Sequence, residues 1–193
     1  MAKVNREGKA AIWTPKTIAL LRRKLNTQRQ RLIFEISLYT GERMGAIVQL
    51  KVTDVYNNNG KVRETINFSG ATRKSSKHGR ANNRQIFIHD VLRHELSRYD
   101  APRDGYLFPS NVASAGHITA RSVDDCWRKI LTANGYFGFS THSSRRWVIN
   151  KLRSAGIEIV TISEAMAINI ATVRKYLDED PVACKKAIAT LSV

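Results

Sequence analysis

Apolar residues recur at helical spacing through most of this chain, and that periodicity limits the fold more than any other feature. A helix is predicted to begin at Thr14-Pro15, where an N-capping hydroxyl precedes a proline at the first helical position. The alternation typical of strands is confined to residues 62–68 and 85–88. We therefore expect an α+β fold that is mostly helical and carries a small antiparallel β-hairpin or a three-stranded sheet.

The length of the chain is that of one domain. Its 193 residues suffice for a single well-formed hydrophobic core. Residues 1–13 are basic and lack periodicity, so we predict a loose arm or the remnant of a linker there. The domain itself is expected over residues 14–193, with a final helix from about residue 181, where a proline precedes apolar residues at helical spacing.

Positive charge is the most unusual feature of the composition. The chain has 32 lysines and arginines against 16 aspartates and glutamates, which gives a formal net charge of +16 and a pI near 10.3. Such an excess attracts polyanions, so nucleic acid is the expected partner. A ribosomal or chromatin-type basic protein, or an alkaline surface with no such partner, would have a similar composition.

Other sequence features narrow the setting in which the protein works. No apolar run approaches the roughly 20 residues that span a bilayer, and the N-terminus lacks the apolar core of a signal peptide. We therefore expect a soluble, cytoplasmic protein without a membrane partner. The two cysteines, Cys126 and Cys184, belong to no metal-binding spacing, so reduced thiols are expected and no structural zinc.

The stretch from Thr141 to Trp147 combines a histidine with two arginines. If His142 opens a helix, Arg145 lies one turn further along the same face, so the imidazole and the guanidinium point to the same place. Such a pair suits a phosphate, although each residue alone would more often be a capping or surface side chain. Arg146 follows directly and is expected to contact the nucleic acid.

A second basic stretch, residues 72–84, lies between the two predicted strands. It holds five lysines and arginines and no acid, with one glycine and two asparagines to turn the chain. A solvated loop would look similar, but surface loops of balanced proteins usually mix both signs of charge. We therefore expect this loop to contact backbone phosphates. The candidate contact residues are Arg73, Lys77, Arg80 and Arg84.

Four short motifs occur in order along the chain. They are Thr40 to Arg43 with Leu50 to Asp54 after it, the bend from Gly105 to Ser110, the run from His142 to Arg145, and Tyr176. In this order they resemble the first arginine box, the connector, the HxxR box and the nucleophile of the tyrosine recombinases, also called phage integrases. The resemblance covers roughly residues 14–180, and the ordered co-occurrence is far more specific than any single motif.

The resemblance implies the fold of a tyrosine-recombinase catalytic domain and a site-specific recombinase or integrase that cleaves and rejoins DNA. It implies a 3′-phosphotyrosine intermediate formed by Tyr176, with no metal or other cofactor. Arg43 and Arg145 would bind the non-bridging phosphate oxygens, where charge grows in the transition state. His142 would donate to a phosphate oxygen or assist proton transfer from the tyrosine.

The family also suggests a proton donor and an assembly. The leaving 5′-oxygen needs a proton, which a lysine on the hairpin supplies in these enzymes. Lys74 and Lys77 are the candidates, and we favour Lys74 because it follows the strand more directly. The implied partner is double-stranded DNA, with a homo-oligomer, a tetramer, on that DNA and a monomer as the alternative in isolation.

Two positions depart from the family pattern. Ala46 stands three residues after Arg43, where the family usually has an acidic side chain that orients the site. Ile168 stands where a histidine or tryptophan donor is usual, and Asn169 beside it is the candidate to compensate. Loss of one such donor costs on the order of 10²–10³ in rate. The alternative functions are therefore a catalytically weak or inactive DNA-binding protein of the same fold, and a type IB topoisomerase-like enzyme.

Overall fold

The computed structural model describes residues 9–72, 83–111 and 116–177, together with residue 189. Within these ranges the chain forms eight α-helices and one two-stranded antiparallel sheet, which confirms the predicted α+β fold. The helices are α1 (Pro15–Lys24), α2 (Gln28–Thr40), α3 (Met44–Ile47), α4 (Asp90–Ser97), α5 (Ala120–Thr132), α6 (His142–Ser154), α7 (Ile159–Met166) and α8 (Ile170–Tyr176). The strands are β1 (Thr65–Phe68) and β2 (Arg84–Phe87).

Capping residues define where the first two helices begin. The Thr14 hydroxyl accepts a hydrogen bond from the Thr17 backbone N–H at 3.2 Å, and Pro15 occupies the first helical position, as predicted. At the start of α2, the Thr27 side chain accepts from the Gln30 backbone N–H, and the Gln30 side chain accepts from the Thr27 backbone N–H. These side chains satisfy backbone donors that have no partner inside a helix, so the local sequence fixes both helix starts.

The larger hydrophobic core surrounds α2, which is buried along most of its length. Four aromatic rings meet in it. Trp13 stacks on Phe139 with 4.9 Å between ring centroids and meets Phe34 and Trp127 edge-on. All four rings are buried, so Trp127 is a core residue rather than a platform for stacking bases.

A smaller core holds α7 and α8 against α6. Its buried residues, among those the structure describes, are Ile149, Ile162, Met166 and Val173. Tyr176 and Ile168 pack on its edge. Tyr176 is the last residue of α8, which packs on far fewer buried apolar residues than α2 does.

The predicted hairpin is confirmed as two paired strands. β1 pairs with β2 in antiparallel register, from Thr65 opposite Phe87 to Phe68 opposite Arg84. Within the described ranges the sheet has these two strands and no third. Arg84, which the sequence placed at the end of the basic loop, is instead the first residue of β2.

The start of the chain is not loose over its described part. Residues 9–13 pack along the domain: the Ala11 backbone N–H donates to the Gly138 carbonyl at 2.8 Å, and the Trp13 indole N–H donates to Ser144 Oγ at 3.0 Å. Burial of the Trp13 ring holds these residues against the domain despite the basic character of the segment. The arm or linker remnant expected over residues 1–13 stays a prediction. The boundary at residue 14 and the final helix from about 181 stay predictions, since residues 1–8 and 178–188 lie outside the described ranges.

Two further observations complete the fold. Over residues 42–50 only α3 is helical, and residues 48 and 49 form a turn. Ile47, Val48 and Leu50 are nevertheless all buried. None of the helices in the described ranges combines the length and apolar character that a membrane span requires.

Candidate active site

The end of α2 brings Arg43 into position. Gly41 terminates the helix in the left-handed conformation, with φ +58°, and a Cβ there would lie 2.8 Å from Met166 Cε and 3.1 Å from Val148 Cβ. Glycine is therefore required both by the backbone angle and by the close approach of α7 and α6. Arg43 then adopts an extended backbone and occupies the N-cap position of α3.

The start of α6 brings in the histidine and the second arginine. The Thr141 backbone N–H donates to Asp124 Oδ1 at 2.7 Å, which ties the beginning of α6 to α5. His142 is the first residue of α6 and is exposed, whereas Arg145, one turn later, is only 2% exposed. Helical spacing places both residues on one face of α6. His142 lies at the exposed end of that face, and Arg145 lies where the face is buried.

Arg43, His142 and Arg145 border one cavity of about 240 Å³. Thr72, from the turn after β1, and Ala120, at the start of α5, also border it. The structure thus brings together three of the residues that the sequence assigned to catalysis. Two guanidinium groups and an imidazole around a space of this size suit a tetrahedral oxyanion.

Arg145 is anchored through two of its three side-chain nitrogens. Nε donates to the Gly41 carbonyl at 2.9 Å, and Nη2 donates to Glu42 Oε1 at 2.8 Å. The third nitrogen, Nη1, is buried and has no hydrogen-bond partner among the described residues. A buried donor left in this state costs about 1–3 kcal/mol, so an anion that supplied an acceptor would be favoured here.

Electrostatics leave Arg145 charged at neutral pH. Burial lowers the pKa of Arg145 to about 10, while Glu42 opposes that shift and the neighbouring Arg43 adds to it. A guanidinium with a pKa of about 10 remains protonated at neutral pH. Its charge is therefore available to a phosphate.

Arg84 occupies a different place from the one that the sequence predicted. Its side chain is 6% exposed, and Nη1 donates to Glu42 Oε2 at 2.9 Å. Nε donates to the Ala165 carbonyl at 2.9 Å and Nη2 to the Thr40 carbonyl at 3.1 Å. The expectation of an exposed DNA contact is therefore corrected, because a buried carboxylate and two carbonyl groups hold this guanidinium inside the fold.

Glu42 is the residue that sequence reasoning missed. It is 1% exposed and pairs with both Arg145 and Arg84. The available signal was its isolation, since Glu42 and Arg43 are the only charged residues between positions 36 and 50. A single acid inside an apolar stretch indicates a buried ion pair.

Tyr176 ends α8 and borders a second cavity of about 200 Å³. His142, Lys9 and Lys175 also border this cavity, so His142 belongs to the walls of both. The backbone carbonyl of Tyr176 accepts a hydrogen bond from Asn150 Nδ2 at 2.9 Å, which ties the end of α8 to α6. The candidate nucleophile thus borders the same cavity as the imidazole and several basic residues.

Arg146 lies beneath the N-terminal segment rather than on the outer surface. It is 9% exposed, it borders the cavity of Tyr176, and its Nη1 donates to the Ala10 carbonyl. Residues 9–13 cover this part of α6. The predicted contact of Arg146 with nucleic acid stays a prediction.

The sequence profile of the phage integrase family matches residues 14–182. The chain belongs to the phage integrase family. A comparison with curated protein sequences gives no significant match.

Solved structures of integrases and recombinases share the fold of this family member. The integrase from mycobacterium phage Brujita is 20% identical with a TM-score of 0.61, and the match covers 86% of this chain and 54% of that one. The XerH site-specific recombinase bound to palindromic difH substrate is 19% identical with a TM-score of 0.70, covering 95% and 53%. The Tn1549 transposon integrase in complex with a circular intermediate DNA is 14% identical with a TM-score of 0.72, covering 96% and 67%. The chain spans just over half the length of the first two of these proteins.

The two departures from the integrase pattern have clear structural positions. Ala46 is 1% exposed and borders the first cavity, so this enclosed position offers no polar side chain to the site. Ile168 packs against the smaller core. The Asn169 side chain accepts from the Thr172 backbone N–H at 2.7 Å and caps α8, so its oxygen serves the helix start.

The basic loop of this integrase-family chain falls outside the described residues. Arg73, Lys74, Lys77 and Arg80 all lie in it, so their roles stay predictions. The preference for Lys74 over Lys77 likewise stays open to test. Among the residues that the structure describes, no group of three or more His, Cys, Asp and Glu side chains is arranged to hold a metal ion.

Proposed function

We propose that this chain cleaves and rejoins DNA by phosphoryl transfer to Tyr176, as a site-specific recombinase or integrase domain. The observation that carries the proposal is the shared position of His142, which borders both the cavity of Arg43 and Arg145 and the cavity of Tyr176. A phosphodiester that spans the two cavities would meet two cations on one side and a phenol on the other.

The reaction consists of one bond formed and one broken. Tyr176 Oη attacks phosphorus in line with the leaving 5′-oxygen, which gives a 3′-phosphotyrosine and a free 5′-hydroxyl. Arg43 and Arg145 bind the non-bridging oxygens, and the resulting hydrogen bonds strengthen as charge develops on them. The bond from phosphorus to the 5′-oxygen is replaced by a bond from phosphorus to the tyrosine oxygen. Attack by a 5′-hydroxyl on this tyrosine ester therefore reverses the step and rejoins a strand.

Two proton transfers accompany this exchange. The phenolic proton leaves Tyr176 as it attacks, and we assign to His142 the role of receiving it or of donating to a phosphate oxygen. That both residues border one cavity supports this assignment. The leaving 5′-oxygen takes a proton, which we assign to Lys74. If Lys77→Ala abolished cleavage while Lys74→Ala left it intact, that assignment would be reversed.

A nicked suicide substrate tests the function directly. Cleavage near the nick releases a short fragment, so religation fails and the covalent protein–DNA adduct accumulates. We expect an adduct with the unaltered protein and none with Tyr176→Phe. Tyr136→Phe is the matched control, because its ring packs edge-on against Phe139 outside both cavities, and it should retain the adduct.

Removal of either arginine should slow adduct formation. Arg43→Ala and Arg145→Ala each delete a donor to the phosphate, so we expect rate losses on the order of 10²–10³. An adduct that forms at an undiminished rate in both variants would contradict the proposed binding of the phosphate by the two arginines.

The apolar side chain of Ile168 favours a second candidate, a DNA-binding protein of the same fold with little catalysis. Tight, salt-sensitive binding with no adduct from the unaltered protein would support that candidate. Relaxation of supercoiled DNA without a defined site would instead support a type IB topoisomerase-like activity.

We infer that the partner is double-stranded DNA within the cytoplasm. The net charge of +16 supports this, and the XerH and Tn1549 structures are complexes with DNA. We further propose a homo-oligomer, a tetramer, on the DNA, with a monomer in its absence. Analytical ultracentrifugation with and without duplex DNA measures both states.

A further inference from the structure

The carboxylate of Glu42 joins two arginines from distant parts of the chain. Oε1 accepts from Arg145 Nη2 at 2.8 Å, and Oε2 accepts from Arg84 Nη1 at 2.9 Å. Oε1 also accepts from the Arg43 backbone N–H at 2.7 Å. Because Glu42 is 1% exposed, each of these bonds is made away from water.

Two guanidinium groups meet one carboxylate in this cluster. Arg84 and Arg145 are both buried, and each pairs with Glu42. An ion taken out of water loses its solvation, and pairing offsets that loss. Arg145 and Glu42 also border the cavity of Arg43 and His142, so the cluster lies where an incoming anion would bind.

Glu42 also determines the orientation of Arg145. A guanidinium is planar, so anchoring Nε on the Gly41 carbonyl and Nη2 on Glu42 fixes the position of Nη1. Nη1 is the nitrogen that has no partner among the described residues. Without the carboxylate, Gly41 alone would hold the group, and rotation about one hydrogen bond would move Nη1.

Arg84 extends this control to the sheet. Its other bonds, to the carbonyl groups of Thr40 and Ala165, join β2 to the end of α2 and to α7. β2 follows the basic loop that contains Lys74 and Lys77. One carboxylate therefore links the arginine of α6 to the strand that follows the proposed proton donor.

We propose that Glu42 is a positioning residue of this site, which orients Arg145 toward a non-bridging phosphate oxygen and, through Arg84, holds β2 in register with it. The role rests on the strand-cleavage function proposed above. Although Glu42 borders the cavity, its carboxylate would act through the two guanidinium groups and not as a ligand of the phosphate.

Glu42→Gln tests the proposal with almost no change in side-chain size. In single-turnover cleavage of the nicked duplex at saturating DNA, we expect the rate constant to fall about 10²-fold, the scale of losing one oriented donor. The Kd for duplex DNA, measured in the Tyr176→Phe background, should change less than about threefold. Glu42→Asp is the second variant: its carboxylate is one methylene shorter and cannot span both arginines, so an intermediate rate constant is expected.

Glu35→Gln is the matched control for a merely structural role. Glu35 is also buried, at 5% exposed, and also pairs with an arginine, since Arg22 Nε and Nη2 each donate to it at 2.7 Å. It borders neither cavity of the site. Glu35→Gln should lower thermal stability and leave the cleavage rate constant of the folded protein unchanged. The same behaviour in Glu42→Gln would overturn the proposal.

A double-mutant cycle tests whether Glu42 acts through Arg145. If it does, Glu42→Gln should cause little further loss of rate in an Arg145→Lys background. A full additional loss in that background would show that Glu42 acts independently, contrary to the proposal.

The side-chain Nε–H signals of the arginines test positioning without DNA. Signals of Arg145 and Arg84, assigned by their loss in Arg145→Lys and Arg84→Lys, should exchange slowly with water and become fast in Glu42→Gln. If the unaltered protein forms no adduct but these signals still depend on Glu42, the cleavage function fails and the positioning role stands. Signals that are unchanged in Glu42→Gln overturn the positioning role whatever the activity.

Discussion

At the scale of single residues, the site depends on backbone positions as much as on charged side chains. Gly41 allows α2 to stop, and its carbonyl receives Arg145 Nε at 2.9 Å. The same residue leaves no space for a methyl group, because Met166 Cε would lie 2.8 Å from a Cβ. A side chain here would therefore disturb both the fold and the arginine.

Gly41→Ala should lower the free energy of unfolding by more than about 1 kcal/mol, through left-handed strain and the clash with Met166. Gly45→Ala is the control, since no atom lies within 4 Å of the Cβ it would add, and it should be neutral or stabilising by up to about 1 kcal/mol. Urea denaturation measures both. Equal losses in the two variants would contradict this account.

Tyr56 provides a pH-dependent test. It is 7% exposed, and its hydroxyl donates to the Leu96 carbonyl at 2.8 Å. Burial raises the pKa of Tyr56 to about 12. The unfolded chain, with a tyrosine pKa near 10, ionises first, so this residue's contribution to stability is complete below about pH 10 and is lost as pH rises toward 12.

Tyr56→Phe should therefore lower the free energy of unfolding by about 1 kcal/mol at neutral pH, through loss of the hydrogen bond. The difference between the two proteins should shrink as pH rises above about 10, because only the unaltered protein loses this contribution. Urea denaturation at several pH values provides the comparison. Parallel stability curves up to pH 12 would contradict the assigned shift.

Sequence predicted some of these residues and missed others for a physical reason. Helical spacing alone placed His142 and Arg145 on one face, and the family resemblance supplied Arg43. Glu42 and Arg84 are 42 positions apart, and nothing local shows that they meet. Whether a charged side chain is buried depends on its tertiary partner, so Arg84 was predicted as an exposed loop residue.

At the scale of secondary structure, helix starts were more predictable than helix ends. Thr14 with Pro15 marks the start of α1 through its own side-chain bonds. The end of α7 lacks such a signal: Ala167 is its C-cap and has φ +46°, the one positive φ of a non-glycine residue in the described ranges. An alanine pays a steric cost there that a glycine avoids.

Ala167→Gly should raise the free energy of unfolding by about 0.5–1 kcal/mol, since relief of the strain exceeds the added entropy of the unfolded chain. Ala133→Gly is the matched control. Ala133 is the C-cap of α5 with φ −62°, so glycine relieves nothing there and should destabilise by about 0.5–1 kcal/mol. In thermal unfolding, the melting temperature should rise in Ala167→Gly and fall in Ala133→Gly. Shifts of the same sign in both variants would contradict this explanation.

At the scale of the whole molecule, the net charge and the division of the hydrophobic core have separate consequences. The net charge of +16 gives long-range attraction to DNA that no single contact explains. The basic residues of the 72–84 stretch and the lysines near Tyr176 would each displace counterions from the duplex. Affinity should therefore depend strongly on salt and weakly on sequence.

Binding of a random duplex by the Tyr176→Phe variant, which cannot form the adduct, should weaken by about 10³-fold or more between roughly 50 and 200 mM salt. Fluorescence anisotropy measures the Kd at each concentration. A change of less than about tenfold, or nanomolar affinity for one defined sequence at physiological salt, would contradict this expectation.

Because the hydrophobic core is divided in two, substitutions in the two parts should have different effects. Arg43 follows α2, which the larger core surrounds, whereas Tyr176 lies on α8, which packs on the smaller core. Segments with few buried apolar contacts open locally at a lower free energy than the rest of a domain. Random substitutions around α2 should therefore appear as lost soluble protein, and those in α7 and α8 as intact protein that reacts slowly. Substitutions that displace Tyr176, the proposed nucleophile, would therefore leave the rest of the fold in place.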